Sequence, residues 1–365
     1  IETELKEENI FNGLIYSGIY NPASGINNLN QFIQADKITK EVNPTYGGIQ
    51  RLFTRDSDLI TFCEDKVLKI LANKDALFNA DGDTNLTASR NVLGQTIPFV
   101  GEYGISNNPE SLASESYRLY FSDKQRGKIL RLSRDGITPI SDYGMDNWFK
   151  NNLKQSTSII GGFDNNKNEY NVTINKETGS IVDEGNIGDS YTITFSEKVK
   201  GWVSFKSFIP ENSITLNNEY YSFNNGFPYI HHQKFLHDGT DDNFNYNTFY
   251  NVPHESEIEV ILNDGASVVK SFLSLSYEGS QSKVDKFIEE TQLTETNTNF
   301  TFSDNEHYNI ETNKGWYVEL IETDIEKGSL NEFMKKEGKW FNYIKGVDIL
   351  EKINNQGQFI DPDNI

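Results

Sequence analysis

Residues 59–71, LITFCEDKVLKIL, carry the pattern that decides the fold. Two short runs, 59–63 and 67–71, are rich in β-branched and aromatic residues and flank an acidic turn, which is typical of two strands joined by a hairpin. The same texture recurs downstream between turn-forming pairs such as Asp135-Gly136. The sequence therefore predicts a mainly β fold. Further strands are predicted at residues 49–53, 117–121, 129–132, 170–174, 191–195, 202–208 and 220–223.

An aromatic residue closely followed by an acidic one ends several of these strands. The pattern occurs at Phe62, Phe121, Phe163 and Phe195, with spacings of 59, 42 and 32 residues by subtraction of these numbers. Because a four-stranded propeller blade takes roughly 40 to 50 residues, the spacings favour irregular β-propeller-like blades over an unrelated sandwich.

The texture of the sequence divides the chain into four parts. Residues 1–40 are predicted to form an extended arm or connector, with a helical turn near 29–36, and residues 41–240 the β-propeller-like region. Residues 241–350 are predicted to form an additional β-rich region with short helices, and the polar residues 351–365 a flexible tail. In the third part, strands are predicted at 244–252, 257–262 and 267–277, and helices at 283–293 and 331–336.

Composition limits the function classes. The chain has 365 residues with 33 Lys and Arg against 54 Asp and Glu, a net charge of −21, so its surface as a whole repels phosphate. It also has 24 Phe, 18 Tyr and 4 Trp, enough large side chains to build a core. Its apolar runs are far shorter than the roughly 20 residues of a membrane span, so none is expected. The start at Ile1 does not resemble a signal peptide, and we expect the chain to be cut from a longer one.

Metal sites have two candidate locations. His231, His232 and His237 lie near Asp238, Asp241 and Asp242 and could supply metal ligands, but a polar loop is the favoured interpretation. Acidic loops at 81–85 and 164–169 place oxygen donors at alternate positions. Neither has the Gly and Glu that an EF-hand requires at positions six and twelve, so ordinary Asx turns are favoured. We predict no metal site.

Catalysis has no sequence signature here. The chain lacks a Gly-x-Ser-x-Gly elbow, a phosphate-binding Gly-rich loop and a His-Glu-x-x-His motif, so we predict no enzyme, no catalytic or cofactor-binding residue and no cofactor. Cys63, the one cysteine, is predicted to be a small buried hydrophobic residue. One basic cluster is predicted to be a solvated strand face, with pairing to acids of a neighbouring subunit as the alternative. It comprises Lys124, Arg126, Lys128, Arg131 and Arg134.

Longer runs of sequence carry a family resemblance. The runs include NPTYGGIQRL at 43–52, VGEYGIS at 100–106, DGITPIS at 135–141 and EGKWFNYIKG at 337–346. They resemble virion structural proteins of tailed bacteriophages over roughly residues 40 to 350. The resemblance is greatest to the C-terminal portion of the tail muzzle, or nozzle, proteins of crAss-like phages.

The resemblance implies a structural subunit of the virion tail. Such a subunit would form a homo-oligomeric ring, with sixfold symmetry expected, and would frame part of the channel through which DNA leaves. Its partners would be the N-terminal portion of the same parent protein and other phage tail proteins, and DNA would pass without tight binding. Two alternatives are a host-surface glycan-binding tail module, in which Trp148, Trp202, Trp316 and Trp340 stack on sugars, and a tail glycosidase.

Overall fold

The computed structural model consists mostly of small antiparallel sheets, which confirms the mainly β fold class. It describes residues 9–344 except for 34, 36, 57, 79–83, 177–189, 234–246, 266, 280–281, 284–314 and 324–326, and it describes 73–91 by their backbone alone. Two compact units are distinguished, Ile1–Ile258 and Glu259–Ile365. No helix among the described residues is long and apolar enough to span a membrane.

The first described part of the chain forms two small two-stranded antiparallel sheets. The predicted helical turn near 29–36 is wrong for residues 29–33, which lie in a turn and irregular backbone. An Asx turn forms there instead, because the Asn27 side chain accepts a hydrogen bond from the Leu29 amide. The strands are β1 (Gly13–Ile15), β2 (Tyr20–Asn21), β3 (Ile26–Asn27) and β4 (Thr39–Glu41), with β1 paired to β4 and β2 to β3.

Three four-stranded antiparallel meanders and one three-stranded meander follow in chain order. All the strands predicted between residues 49 and 223 are present in them. The first sheet comprises β5 (Ile49–Arg55), β6 (Asp58–Cys63), β7 (Val67–Phe78) and β8 (Thr84–Pro98). The second comprises β9 (Ala113–Glu115), β10 (Arg118–Asp123), β11 (Lys128–Ser133) and β12 (Gly136–Pro139). The third comprises β13 (Ser158–Asp164), β14 (Glu169–Asn175), β15 (Tyr191–Ser196) and β16 (Gly201–Lys206), and the fourth β17 (Asn212–Leu216), β18 (Glu219–Asn224) and β19 (Phe227–Ile230).

The aromatic-acid pattern marks hairpins and not whole sheets. Phe62 and Phe121 lie on the second strands of the first and second sheets, but Phe163 and Phe195 lie on the first and third strands of the same sheet. The acid has a local role, because Asp164 accepts hydrogen bonds from the amides at 166 and 167 in the β13–β14 turn. The spacings of 42 and 32 residues therefore do not measure the length of a repeated sheet.

Successive sheets share apolar cores. Phe62 of the first sheet meets Phe121 of the second with ring centroids 5.1 Å apart. On the opposite face of the second sheet, Tyr120 stacks on Phe163 and Tyr170 of the third, at 5.5 and 4.8 Å. Side chains that alternate along one strand therefore serve two cores, as the period of two in a β-strand requires.

One α-helix, α1 (Asp146–Lys154), connects the second and third sheets. Sequence analysis did not predict it. Its Phe149 and Leu153 are buried one turn apart, and Phe149 contacts the Trp202 ring at 4.5 Å. Asp146 in the first turn and Lys154 in the last complement the helix dipole, a signal present in the sequence. Three short 3₁₀ segments lie at Pro44–Tyr46, Pro109–Ser111 and Ile140–Asp142.

The last part of the chain differs most from prediction. No strand forms at 257–262, and within 244–252 the described residues give only β20 (Thr248–Phe249) and the first residue of its partner β21 (Val252–Pro253). The helix predicted at 331–336 is wrong, because Glu337 and Gly338 adopt positive φ angles of 53° and 80° and join two strands in a tight turn. The helix predicted at 283–293, apart from Lys283, and the tail at 351–365 lie outside the described residues. The strands are β20 (Thr248–Phe249), β21 (Val252–Pro253), β22 (Ser274–Tyr277), β23 (Val318–Glu322), β24 (Lys327–Leu330), β25 (Met334–Lys336) and β26 (Lys339–Tyr343).

The unit Glu259–Ile365 has its own small core. Phe333 and Trp340 are buried and pack with Leu275 and Tyr277. The Trp340 indole N–H donates to the Gly279 carbonyl at 3.0 Å, so the ring is held at both its apolar and its polar edges.

Candidate functional site

Two histidines predicted as possible ligands lie in a polar cluster, which we call the histidine cluster. His231 and His232 follow β19, and Asp164 ends β13. His232 Nε2 is 2.5 Å from Asp164 Oδ2, and His231 Nε2 is 2.6 Å from Ser222 Oγ. The Tyr250 hydroxyl completes the cluster 2.9 Å from the same Ser222 oxygen.

Burial and hydrogen bonding together set the charges in this cluster. Burial lowers the pKa of His231 to about 4, so this imidazole is neutral at physiological pH. Burial alone would raise the pKa of Asp164, but the hydrogen bond from His232 and the two turn amides outweigh it, and the pKa of this carboxyl is lowered. The carboxylate is thus ionised inside the fold.

The cluster does not form a nucleophilic triad. A triad needs one imidazole to contact both a nucleophile and a carboxylate. Here Ser222 pairs with His231 while Asp164 pairs with His232, and the Ser222 side chain is fully buried. We interpret these contacts as structural, fixing the residues after β19 against β13.

Metal binding is not supported among the residues that the structure describes. In that part of the chain no three His, Cys, Asp or Glu side chains converge as ligands. Asp164 forms the Asx turn that the sequence favoured. His237, Asp238, Asp241 and Asp242, and the acidic loop residues Asp81 and Asp83, lie outside the described residues.

Cys63 is buried in the first sheet. It packs with Leu68 and Ile70, and burial raises the pKa of its thiol to about 11. The thiol is therefore protonated at neutral pH, in agreement with the prediction that it serves as a small hydrophobic residue.

The five basic residues of the predicted cluster do not form one strand face. Lys124 donates to the Ser156 carbonyl at 2.6 Å. Arg126 bridges Asp65 and Asp123, and Lys128 bridges Asp142 and Asp146. These three side chains therefore make contacts with strands, turns and the helix of the same chain.

Arg131 and Arg134 lie further along the chain and line a cleft of about 350 Å³, which we call the arginine cleft. Sequence analysis grouped these two arginines but missed Arg118, which lies on the neighbouring strand. One signal in the sequence could have indicated Arg118: it precedes Tyr120 by two residues. Tyr120 in turn pairs with Arg131 across the sheet. The cleft is lined by Tyr117, Arg118, Arg131, Ser133, Arg134 and Asp135.

A buried Tyr–Glu pair lies next to this cleft. The Tyr120 hydroxyl donates to Glu197 at 2.7 Å, and Arg131 binds both oxygens of the same carboxylate at 2.9 and 3.1 Å. Burial raises the pKa of Tyr120 far above its ordinary value, and the hydrogen bond to the negatively charged Glu197 raises it further. A fully buried phenol that holds its proton cannot attack a substrate, so the pair positions Arg131 and is not a catalytic dyad.

Most of the tryptophans proposed to stack on sugars are occupied by the protein itself. Trp202 donates to the Ile140 carbonyl and packs on Phe195, and Trp340 is buried. Trp148 is partly buried and packs edge to face with Tyr191 and Phe205 rings. Trp316, with 38 % of its surface exposed, is the tryptophan most available to a ligand.

Comparison with known families gives a match in the last part of the chain. Residues 244–346 match the family model of the Crassvirus muzzle protein C-terminal domain. The resemblance inferred from sequence is confirmed there. None of the curated proteins compared with the chain is significantly similar to it.

The muzzle match covers a little over a quarter of the chain. It includes the described strands β20 to β26 and the core around Phe333 and Trp340. A muzzle domain supports a structural role in a phage virion tail.

Proposed function

We propose that the chain is a structural subunit of a phage tail muzzle, which assembles into a ring around the DNA exit channel and acts by assembly and not by catalysis. The match of residues 244–346 to the muzzle C-terminal domain carries this proposal. The four meanders within residues 41–240 would be blades of an irregular propeller, since each is an antiparallel sheet that packs on its neighbour in sequence.

Charge supports a channel role. With a net charge of −21, the chain repels DNA at long range, so DNA would slide past copies arranged around it without a long dwell. Most of the basic side chains discussed above are already paired with acids of the chain and are not free to bind phosphate.

Exposed apolar side chains support assembly. Between residues 257 and 273, Ile261 and Val269 expose 86 % and 99 % of their surface. Sequence analysis predicted strands here, yet the described residues of 257–273 have no strand partner. A β-forming apolar segment without a partner is typical of a surface that another chain covers.

Electron cryomicroscopy of intact particles tests the proposal. We expect density for this chain in a closed ring at the distal tail, with residues 257–273 covered by a neighbour. The proposal fails if the chain is absent from purified virions, or if it is traced as a separate protein facing host sugars.

The glycan-binding alternative is tested on a glycan array. Since three of the four tryptophans are held by the protein itself, Trp316 would have to carry sugar stacking. Binding that disappears with Trp316→Ala and survives Tyr317→Ala would favour that alternative over the muzzle subunit.

A further inference from the structure

Two residues that line the arginine cleft each have a buried hydrogen-bond donor with no partner. Among the described residues, Arg131 Nε and Ser133 Oγ are buried and make no hydrogen bond, and only 6 % of the Ser133 surface is exposed. The two residues are separated by one position on β11, so both side chains lie on the same face of the second sheet. Buried hydrogen-bond donors in proteins normally have an acceptor. Two unpaired donors on residues that line one cleft therefore indicate that an acceptor from another molecule is missing.

Two further guanidinium groups stand at the same cleft. Arg118 and Arg134 lie over the Tyr117 ring, with their central carbons 4.8 and 5.4 Å from its centroid. Arg118 also pairs with Glu115 at 3.0 Å. Arg134 has no carboxylate partner in the part of the chain that the structure describes, although Asp135 lines the same cleft.

The donor set fits a carboxylate. Guanidinium groups bind carboxylates through paired N–H donors, and a nearby hydroxyl adds a third contact. A sugar ring is a poorer fit, because two guanidinium groups already lie on the aromatic ring that would stack on it. A DNA phosphate is disfavoured by the net charge of −21.

We propose that the arginine cleft binds the carboxylate of an Asp or Glu side chain from a second copy of this chain. The inference rests on the proposed ring, which supplies the second copy. The chain has 54 acidic and 33 basic residues, so each copy carries many carboxylates without a basic partner of its own. The cleft would accept one of them and fix the register between neighbours.

Zero-length crosslinking tests the contact directly. Arg134→Lys keeps the positive charge and introduces an amine that carbodiimide couples to an adjacent carboxylate. Unlabelled variant chain is mixed with ¹⁵N-labelled variant chain, and the mass shift of the crosslinked peptides separates links between chains from links within one. We expect a link between chains from position 134 to an acidic peptide. Links only to Glu115, Asp135 or Glu197 of the same chain, or no link, would overturn the proposal.

Charge reversal tests whether the contact stabilises assembly. Arg134 is exposed and makes no ion pair among the described residues, so Arg134→Glu is expected to fold normally. Self-association of the full chain should weaken by about tenfold or more, measured by sedimentation equilibrium, since the new carboxylate would repel the incoming one. Lys154→Glu, at the exposed end of α1, makes the same charge change and should alter association much less.

The outcomes separate this inference from the proposed function. If the Arg134→Glu variant assembles as well as the original chain, the cleft contact is refuted but the proposed ring is not. A chain that never assembles, alone or in virions, refutes the ring and with it the cleft contact. Binding of duplex DNA or of a polyuronate that Arg134→Glu abolishes would assign the cleft to those ligands instead.

Discussion

The Asp123 carboxylate is fully buried at the end of β10. It accepts hydrogen bonds from the Gly104 amide, the Ser106 hydroxyl, the Arg126 amide and the Arg126 guanidinium, at 3.0 to 3.2 Å. Asp123→Asn replaces one acceptor oxygen with a donor that would face these donors. We expect the free energy of unfolding to fall by about 3 kcal/mol, measured by denaturant titration.

Asp65→Asn is the matched control. Asp65 contacts the same guanidinium at 3.2 Å, but 38 % of its side chain is exposed, and such pairs contribute less than about 1 kcal/mol. Equal losses for the two variants would contradict the importance of burial at Asp123.

His231 gives the fold a pH dependence. Its pKa is lowered from 6.5 to about 4 by burial first, and then by His232 and Lys206, while Asp164 opposes the change. Between these values the unfolded chain binds a proton that the folded chain does not, so stability falls on acidification. We expect a loss of about 2 to 3 kcal/mol between pH 7 and pH 4.5 from this residue, measured by unfolding at several pH values.

His231→Phe should flatten that slope, because phenylalanine fits among the surrounding rings and does not titrate. Phe208 and Tyr220 have their ring centroids 4.7 and 5.0 Å from the imidazole. Ser222 keeps a hydrogen bond to Tyr250 in this variant. A variant at 231 with an unchanged slope would assign the dependence to other groups.

Single residues differ in how far sequence could place them. The burial of Cys63 and the Asx turn at Asp164 follow from neighbours a few positions away, and both were predicted. The pairing of Ser222 with His231, and of Glu197 with Arg131, depends on which strands and turns meet. Local sequence carries no such information, so the arginine cleft could be recognised only in part.

At the scale of elements, strands inside the meanders were predictable because their alternation is local. The prediction at 59–63 corresponds to Asp58–Cys63, and that at 191–195 to Tyr191–Ser196. The failures have tertiary causes. Residues 257–262 have a strand pattern without a strand partner among the described residues, and 331–336 were turned into a hairpin by Glu337 and Gly338.

The packing of β13 depends on a glycine. A Cβ atom at Gly161 would lie 2.0 Å from the Ser111 carbonyl oxygen, which is backbone and cannot move aside easily. Gly161→Ala should therefore lower the free energy of unfolding by about 1 to 3 kcal/mol. Gly201→Ala, in β16 of the same sheet, meets nothing within 4 Å and should be neutral or stabilise by up to about 1 kcal/mol. Denaturant titrations that give both variants the same stability would contradict this packing.

At the scale of the whole molecule, the packing of one sheet on the next could not be predicted from local sequence. The contact of Phe62 with Phe121 joins residues 59 positions apart in sequence, and that of Tyr120 with Tyr170 joins residues 50 apart. The first of these spacings was noticed in the sequence, but as a repeat and not as a contact. The two faces of β10 contribute to two cores, so the second sheet packs against a neighbouring sheet on each side. The stability of each meander therefore depends on the meanders next to it.

The net charge of the chain leads to a prediction about the salt dependence of assembly. Each copy carries −21, so copies in a ring repel one another, and the repulsion is screened as the Debye length falls from about 30 Å at 0.01 M salt to about 8 Å at 0.15 M. Self-association of the full chain should therefore strengthen over this range, as measured by sedimentation equilibrium. Arg134→Glu should stay weaker than the original chain at both salt concentrations, because a contact enclosed in a cleft is screened less than the general field. Association that weakens with added salt would mean that ion pairs between copies, and not long-range repulsion, dominate the energy of assembly.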